Sequence, residues 1–153
     1  MKHLHRFYLL TMAIMGMTIL HHFYGSLIYP QHFRMYTALF AVPVVLAEWI
    51  IYRMYSRRGK RLWLVLFQVI TIIFPVLFIG LYEGIYNHVL KNILFFGGLS
   101  TAGLLKLFPP PMYEMPDNFF FEFTGCLQGF LLIAALVYLV RYYSDQRQMV
   151  HPL

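Results

Sequence analysis

The chain reads as an all-α, polytopic helix bundle embedded in a membrane, and three observations predict that class. Of its 153 residues 60% are hydrophobic and only 12% charged, far from the balance of an average soluble domain. The apolar residues fall in runs of about 20, the length that crosses a bilayer as a helix. Basic residues collect at the ends of those runs, so the net charge of +6 points to lipid headgroups and not to nucleic acid. Aromatic residues, 19% of the chain, sit within or beside the runs, as at a bilayer interface.

Four spans are expected at 7–29, 35–56, 62–82 and 118–143. In the first, Lys2 and Arg6 precede an apolar stretch much as in a signal peptide, but no A-x-A site follows and the run continues past His21 and His22; an uncleaved span is expected. Pro43 and Pro75 fall inside the second and third spans, where neighbouring helices absorb a kink. A fifth span is expected at 89–108, with Lys91 and Lys106 snorkelling to the two interfaces, because some twenty apolar residues otherwise need cover. Its stretch Gly97, Gly98, Ser100, Thr101 and Gly103 also suits close packing or a re-entrant segment. Pro109, Pro110 and Pro111 end any helix arriving there.

Orientation follows from the cluster Arg53, Arg57, Arg58, Lys60 and Arg61, which marks the loop between spans two and three as cytoplasmic. Two crossings before it place the N-terminus on the same side. Four spans put nine basic residues inside and three outside, whereas five put eight inside and four outside. Charge favours four spans and hydropathy five, so the topology of the last third stays between them. The whole chain, 1–153, is expected to be one transmembrane domain in a plasma or inner membrane rather than an organellar one. Cys126 is the only cysteine, which leaves no disulfide framework and no cysteine-based zinc site.

Ionisable groups inside spans are costly and become candidates for function. His21 and His22 lie about 11 Å below the outer end of span one by helical rise. As neighbours about 100° apart on a helix, at most one is expected to face a given partner squarely. The segment Tyr82, Glu83, Gly84, Ile85, Tyr86, Asn87, His88, with Lys91 and Asn92 beyond it, is polar and lies at the same face of the membrane. In an α-helix Glu83 and Asn87 would share one side, with His88 on another. His21, His22, Glu83 and His88 are the candidate catalytic or metal-ligating residues, with Tyr24, Tyr86 and Asn87 as candidate ligand contacts.

Three imidazoles, a carboxylate and nearby phenols are the donors that zinc, copper, iron and manganese use. The cofactor stays unknown at this point; a divalent metal ion is one that these donors could hold, although the spacing is no known metal motif. Met12, Met15 and Met17 beside the histidines raise copper in particular, against their ordinary use in packing. The same groups suit acid–base chemistry on a lipid-derived ligand, or a path for protons or a small ion. A non-catalytic accessory subunit of a larger membrane complex is the alternative from another class, and membrane lipids or further copies of the chain are the expected partners. Glu48 and Gln68, about 12 Å and 10 Å from the inner ends of their spans, are expected to hydrogen-bond, as structural glue or as a proton carrier. His32 is expected at the interface, and His3, His5 and His151 in solvated tails. Glu122 joins the outer cluster only if there are four spans.

Overall fold

The computed structural model describes residues 2–110 and 112–150, so the tail histidine His151 lies outside the described residues. The described residues form helices and connecting turns, without strands. Long helices α1 (Lys2–Ile28), α2 (Phe33–Arg58) and α3 (Arg61–Phe96) are followed by short α4 (Thr101–Leu107) and long α5 (Phe119–Val150). Four of them, α1, α2, α3 and α5, are long and apolar enough to cross a membrane. Leu39, Phe78, Phe96, Phe119, Phe130 and Val140 are each more than half exposed, an outward apolar surface that suits lipid and not water.

Helix α5 packs along both α1 and α3, and α1 also packs along α2. At the end carrying the basic α2–α3 loop the core is apolar, built from Leu4, Phe7, Ile14, Phe67, Val76, Leu132 and Ala135. Gly59 turns that loop with φ +61° and donates its N–H to the Tyr55 carbonyl at 2.8 Å, the left-handed cap that glycine adopts without a Cβ clash. His3 and His5 are solvent-accessible, but they lie on a helix and not in a tail. Helix α1 begins at Lys2, which brings His3 to within 3.6 Å of Asp145 and His5 to within 3.0 Å of the Tyr52 hydroxyl.

The expected fifth span does not form. Gly98 has φ +85°, Leu99 N–H reaches the Leu94 carbonyl at 3.0 Å and Gly98 N–H reaches Phe95 at 3.2 Å. This is a Schellman cap, which satisfies the last carbonyls of α3 and reverses the chain. The stretch read from sequence as suiting close packing or a re-entrant segment thus holds a stop signal at Gly98. After it the seven residues of α4 are capped by Ser100, whose hydroxyl accepts from Gly103 N–H, and stay beside α3, where the Tyr86 hydroxyl donates to the Leu107 carbonyl at 2.7 Å. With four long helices, the 112–118 loop and the start of α5 return to the end of the bundle where α1 finishes.

Helix α3 changes register along its length. From Ile72 to Leu90 its hydrogen bonds run from i to i+5, a π-helix that includes Pro75. Such widening commonly marks functional positions. Close contact with α5 fixes this part of α3, because a Cβ on Gly84 would collide with the Gly129 backbone and one on Gly80 would stand 2.7 Å from Leu132 Cβ.

Candidate metal centre

At the end opposite the basic loop, polar residues of α1 and α3 converge on one carboxylate, with α5 supporting them from behind. Glu83 Oε1 lies 3.4 Å from His88 Nε2, 3.5 Å from His21 Nε2 and 3.9 Å from His22 Nε2. Its other oxygen accepts from Asn87 Nδ2 at 3.0 Å. All three histidines are essentially sealed from solvent. Adjacent positions on α1 were expected to let only one histidine face a given neighbour. The contacts are unequal, His21 at 3.5 Å and His22 at 3.9 Å, with the two rings crossing at 81°.

The π-helix explains why His88 belongs to this set. In an α-helix residues five apart point roughly 140° away from each other, which is why His88 was placed on a different face from Glu83. With i to i+5 bonding the two become neighbours on one side.

The hydrogen-bond network fixes which ring nitrogens carry protons. Thr124 spends its single hydroxyl hydrogen on the Phe120 and Phe121 carbonyls, at 2.9 and 3.0 Å, and so accepts from His21 Nδ1 at 2.9 Å. His88 Nδ1 donates to Glu122 Oε2 at 2.8 Å. In the neutral rings with Nδ1 protonated, the Nε2 lone pairs of His21 and His88 would face the lone pairs of Glu83. Neither Nε2 has a hydrogen-bond partner, nor does His22 Nδ1. Buried acceptors facing acceptors are costly unless a proton or a metal cation lies between them.

Spacing and charge both suit such a cation. A tetrahedral ion bound at 2.0–2.1 Å separates its ligand atoms by roughly 3.3 Å, close to the contacts around Glu83 Oε1. Ligand atoms of His21, His22 and Glu83 all fall within 4.8 Å of one another, a set that leaves out His88, whose Nε2 meets Glu83 alone at 3.4 Å. An imidazole whose other nitrogen donates to a carboxylate, as His88 does to Glu122, is the usual outer support of a metal ligand. Lys91 does not snorkel to an interface. It is buried, donating to Glu122 Oε1 at 3.0 Å and to the Glu114 carbonyl at 2.7 Å, because the α3 cap brings the 112–118 loop over it. Asn92 Nδ2 adds a 2.6 Å bond to Glu122 Oε2. Arg34, on α2, is also buried and lies 3.7 Å from Glu114. Around the site the three carboxylates Glu83, Glu114 and Glu122 outnumber the cations Lys91 and Arg34 by one when the histidines are neutral.

Of the remaining sequence candidates, Asn87 joins the site through Glu83. Tyr24 instead pairs with Asn118 at 3.2 Å, and Tyr86 faces α4. The expected Glu48 to Gln68 bond is absent. Gln68 donates to the Tyr143 hydroxyl at 2.6 Å, since α5 supplies a nearer acceptor, and both Glu48 oxygens are buried without a partner. His32 lies exposed at the N-terminal end of α2. Sequence reasoning missed Arg34 and Thr124. A lone arginine at the non-basic end of the bundle was a usable signal for the first, whereas a threonine in an apolar run carries none.

A cavity of about 360 Å³ adjoins the carboxylate, lined by Phe40, Phe74, Phe78 and Ile79 on its apolar side and by His22, Arg34, Glu83, Asn87 and Tyr113 on its polar side. It lies among α1, α2, α3 and the 112–118 loop. Compared with known proteins, the chain matches no family model, no curated protein and no solved structure.

Proposed function

We propose that the chain is a small membrane metalloprotein in which His21, His22, His88 and Glu83 bind one divalent transition-metal ion beside an apolar cavity. The observation that carries this reading is the convergence of the His21 and His88 Nε2 atoms, each with Nδ1 committed elsewhere, on Glu83 Oε1. Imidazole and carboxylate donors suit zinc, iron, manganese or copper. The buried Met15 lies in an apolar cluster with Ala41 and Val44, so the methionines add no specific support for copper. With the basic loop in the cytoplasm, the site lies in the outer leaflet.

A bound ion would supply Lewis acidity and lower the pKa of a water. The chain's own groups supply the rest: Thr124 and Glu122 hold two imidazoles in orientation, Asn87 holds Glu83, and the cavity keeps bulk water from the carboxylate. That arrangement suits acid–base chemistry on a lipid-derived ligand.

Metal analysis of the full chain purified in mild detergent tests the reading. One metal ion per chain is expected after equilibration with zinc, manganese or ferrous ion, with loss of at least most of it in Glu83→Ala and His21→Ala. Less than a tenth of an ion per wild-type chain, or equal content in the variants, overturns it.

Proton conduction is a second reading, favoured by Glu48, whose carboxyl is fully buried in α2 without a hydrogen-bond partner. Proton flux in proteoliposomes that falls in Glu48→Gln supports it, and flux unchanged by that substitution removes it.

A further inference from the structure

The cavity beside Glu83 has two chemically distinct parts. Its apolar wall, from Phe40, Phe74 and Phe78, includes residues more than half exposed on the outside of the bundle, Phe40 and Phe78 at 58% each. The apolar part of the lining therefore continues onto the outer apolar surface of α2 and α3. Its polar part holds Arg34, only 2% exposed yet stacked at 4.8–5.2 Å against the rings of Phe121, Tyr29 and Phe33. Those rings grip the guanidinium plane while leaving its hydrogen-bond donors unused.

Arg34 is under-satisfied where it stands. Its Nε is buried without a partner, and its one carboxylate contact, Glu114, is a loose 3.7 Å. Glu114 is itself engaged by the Gln31 amide. A guanidinium is a fixed fork of donors suited to a two-oxygen anion, and a buried one without such a partner is costly. The charge balance agrees: the surrounding carboxylates exceed the cations by one, so a divalent ion leaves one positive charge in excess and a monoanion neutralises it.

From this juxtaposition of an unpaired guanidinium donor, a metal site and an apolar opening, we infer that the cavity binds a single-chain amphipath from the membrane. Its anionic two-oxygen head lies between Arg34 and the metal ion, and its alkyl chain lies along Phe40, Phe74 and Phe78. The inference rests on the metal reading for its charge balance, while Arg34 and the apolar wall stand independently of it.

The test uses the full chain in a non-ionic detergent, loaded with zinc, and equilibrium binding of hexadecanoate, hexadecanol and acetate. One hexadecanoate per chain is expected, bound at least tenfold more tightly than hexadecanol, with no displacement by an equal concentration of acetate. Arg34→Gln should abolish the preference for the acid. Thr37→Phe, which fills the cavity from α2, should weaken both long-chain probes while zinc content is retained, and it serves if Arg34→Gln does not fold. Equal binding of acid and alcohol, a preference that survives Arg34→Gln, or displacement by acetate overturns the inference. Zinc-bound protein with no preference sinks this inference and leaves the metal site standing. Protein that takes up no zinc yet keeps an Arg34-dependent preference sinks the metal site and the head's contact with it, and leaves the amphipath site at Arg34 standing.

Discussion

Glu83 and His88 are five residues apart on one helix, and their facing atoms, Oε1 and Nε2, are 3.4 Å from each other. That contact exists because α3 is π-helical between Ile72 and Leu90. The far side of the same imidazole is held by Glu122 of α5. One ring therefore joins the third and fifth helices, and its orientation depends on a carboxylate that does not touch the proposed ion.

Weakening that outer support should weaken metal binding without abolishing it. Glu122→Gln keeps an acceptor for His88 Nδ1 but removes the charge. A loss of roughly 10–100-fold in metal affinity is expected, the usual effect of a lost outer partner. Thr124→Val should act in the same direction through His21, with Thr124→Ser restoring most of the affinity. Competition titration against a chelator of known affinity measures both, and unchanged affinity in Glu122→Gln would show that His88 is not a ligand.

The site's rigidity depends on how closely α3 and α5 approach. Gly84→Ala places a methyl group against the Gly129 backbone, which cannot give way as a side chain would. A destabilisation of about 1–3 kcal/mol is expected from such overpacking, read as a lowered unfolding midpoint in detergent. Gly16→Ala is the control, since a Cβ there meets nothing within 4 Å and alanine is the better helix former by about 0.5–1 kcal/mol. Equal effects of the two substitutions would contradict the helix contact.

The sequence carried the membrane class, the four long spans and most of the metal candidates, because each rests on a local signal: an apolar run, or an ionisable group inside one. What it concealed depended on helix geometry. His88 looked misplaced because its face was computed for an α-helix, and the fifth span looked necessary because hydropathy does not register that Gly98 can take a positive φ and cap α3. Glu122 followed from that one error, since the return of the chain decides which end of the bundle it occupies, and Lys91 looked free to reach an interface because the loop that covers it comes back with the chain. Glu48 went the same way: matching depth suggested Gln68, but depth says nothing about which side of a helix a residue faces.

High pH should destabilise the loop that closes the site. Burial, reinforced by the hydrogen bond to Tyr82, holds the Tyr113 phenol above its ordinary range, and burial with the bond to Asp117 does the same for Tyr29. A raised folded-state value means that the stability these groups contribute is complete below about pH 10, the value for an unfolded tyrosine. It is then lost as pH rises above that point, because only the unfolded chain releases its protons there. Chemical denaturation between pH 8 and 11 should show a decline beginning near pH 10 that is shallower in Tyr113→Phe. An equally steep decline in that variant would remove Tyr113 from the explanation.

Topology decides whether Glu122, Glu83 and the three histidines can share one site at all. Four crossings place the 29–32 and 112–118 loops on one side and both ends of the chain on the other, with the basic loop. The positive-inside rule then puts those two loops outside. His32, Met112 and Ser144 are exposed, so single cysteines at these positions in a Cys126→Ala background report the sides directly. A membrane-impermeant maleimide applied to intact cells should label positions 32 and 112 and spare 144 until the membrane is opened. Labelling of 32 and 144 together from outside would require another crossing after α3, which the Gly98 cap does not permit, and it would separate Glu122 from His88. Labelling of 144 alone would keep the four-helix bundle and invert it, moving the site to the cytoplasmic leaflet with its internal geometry intact.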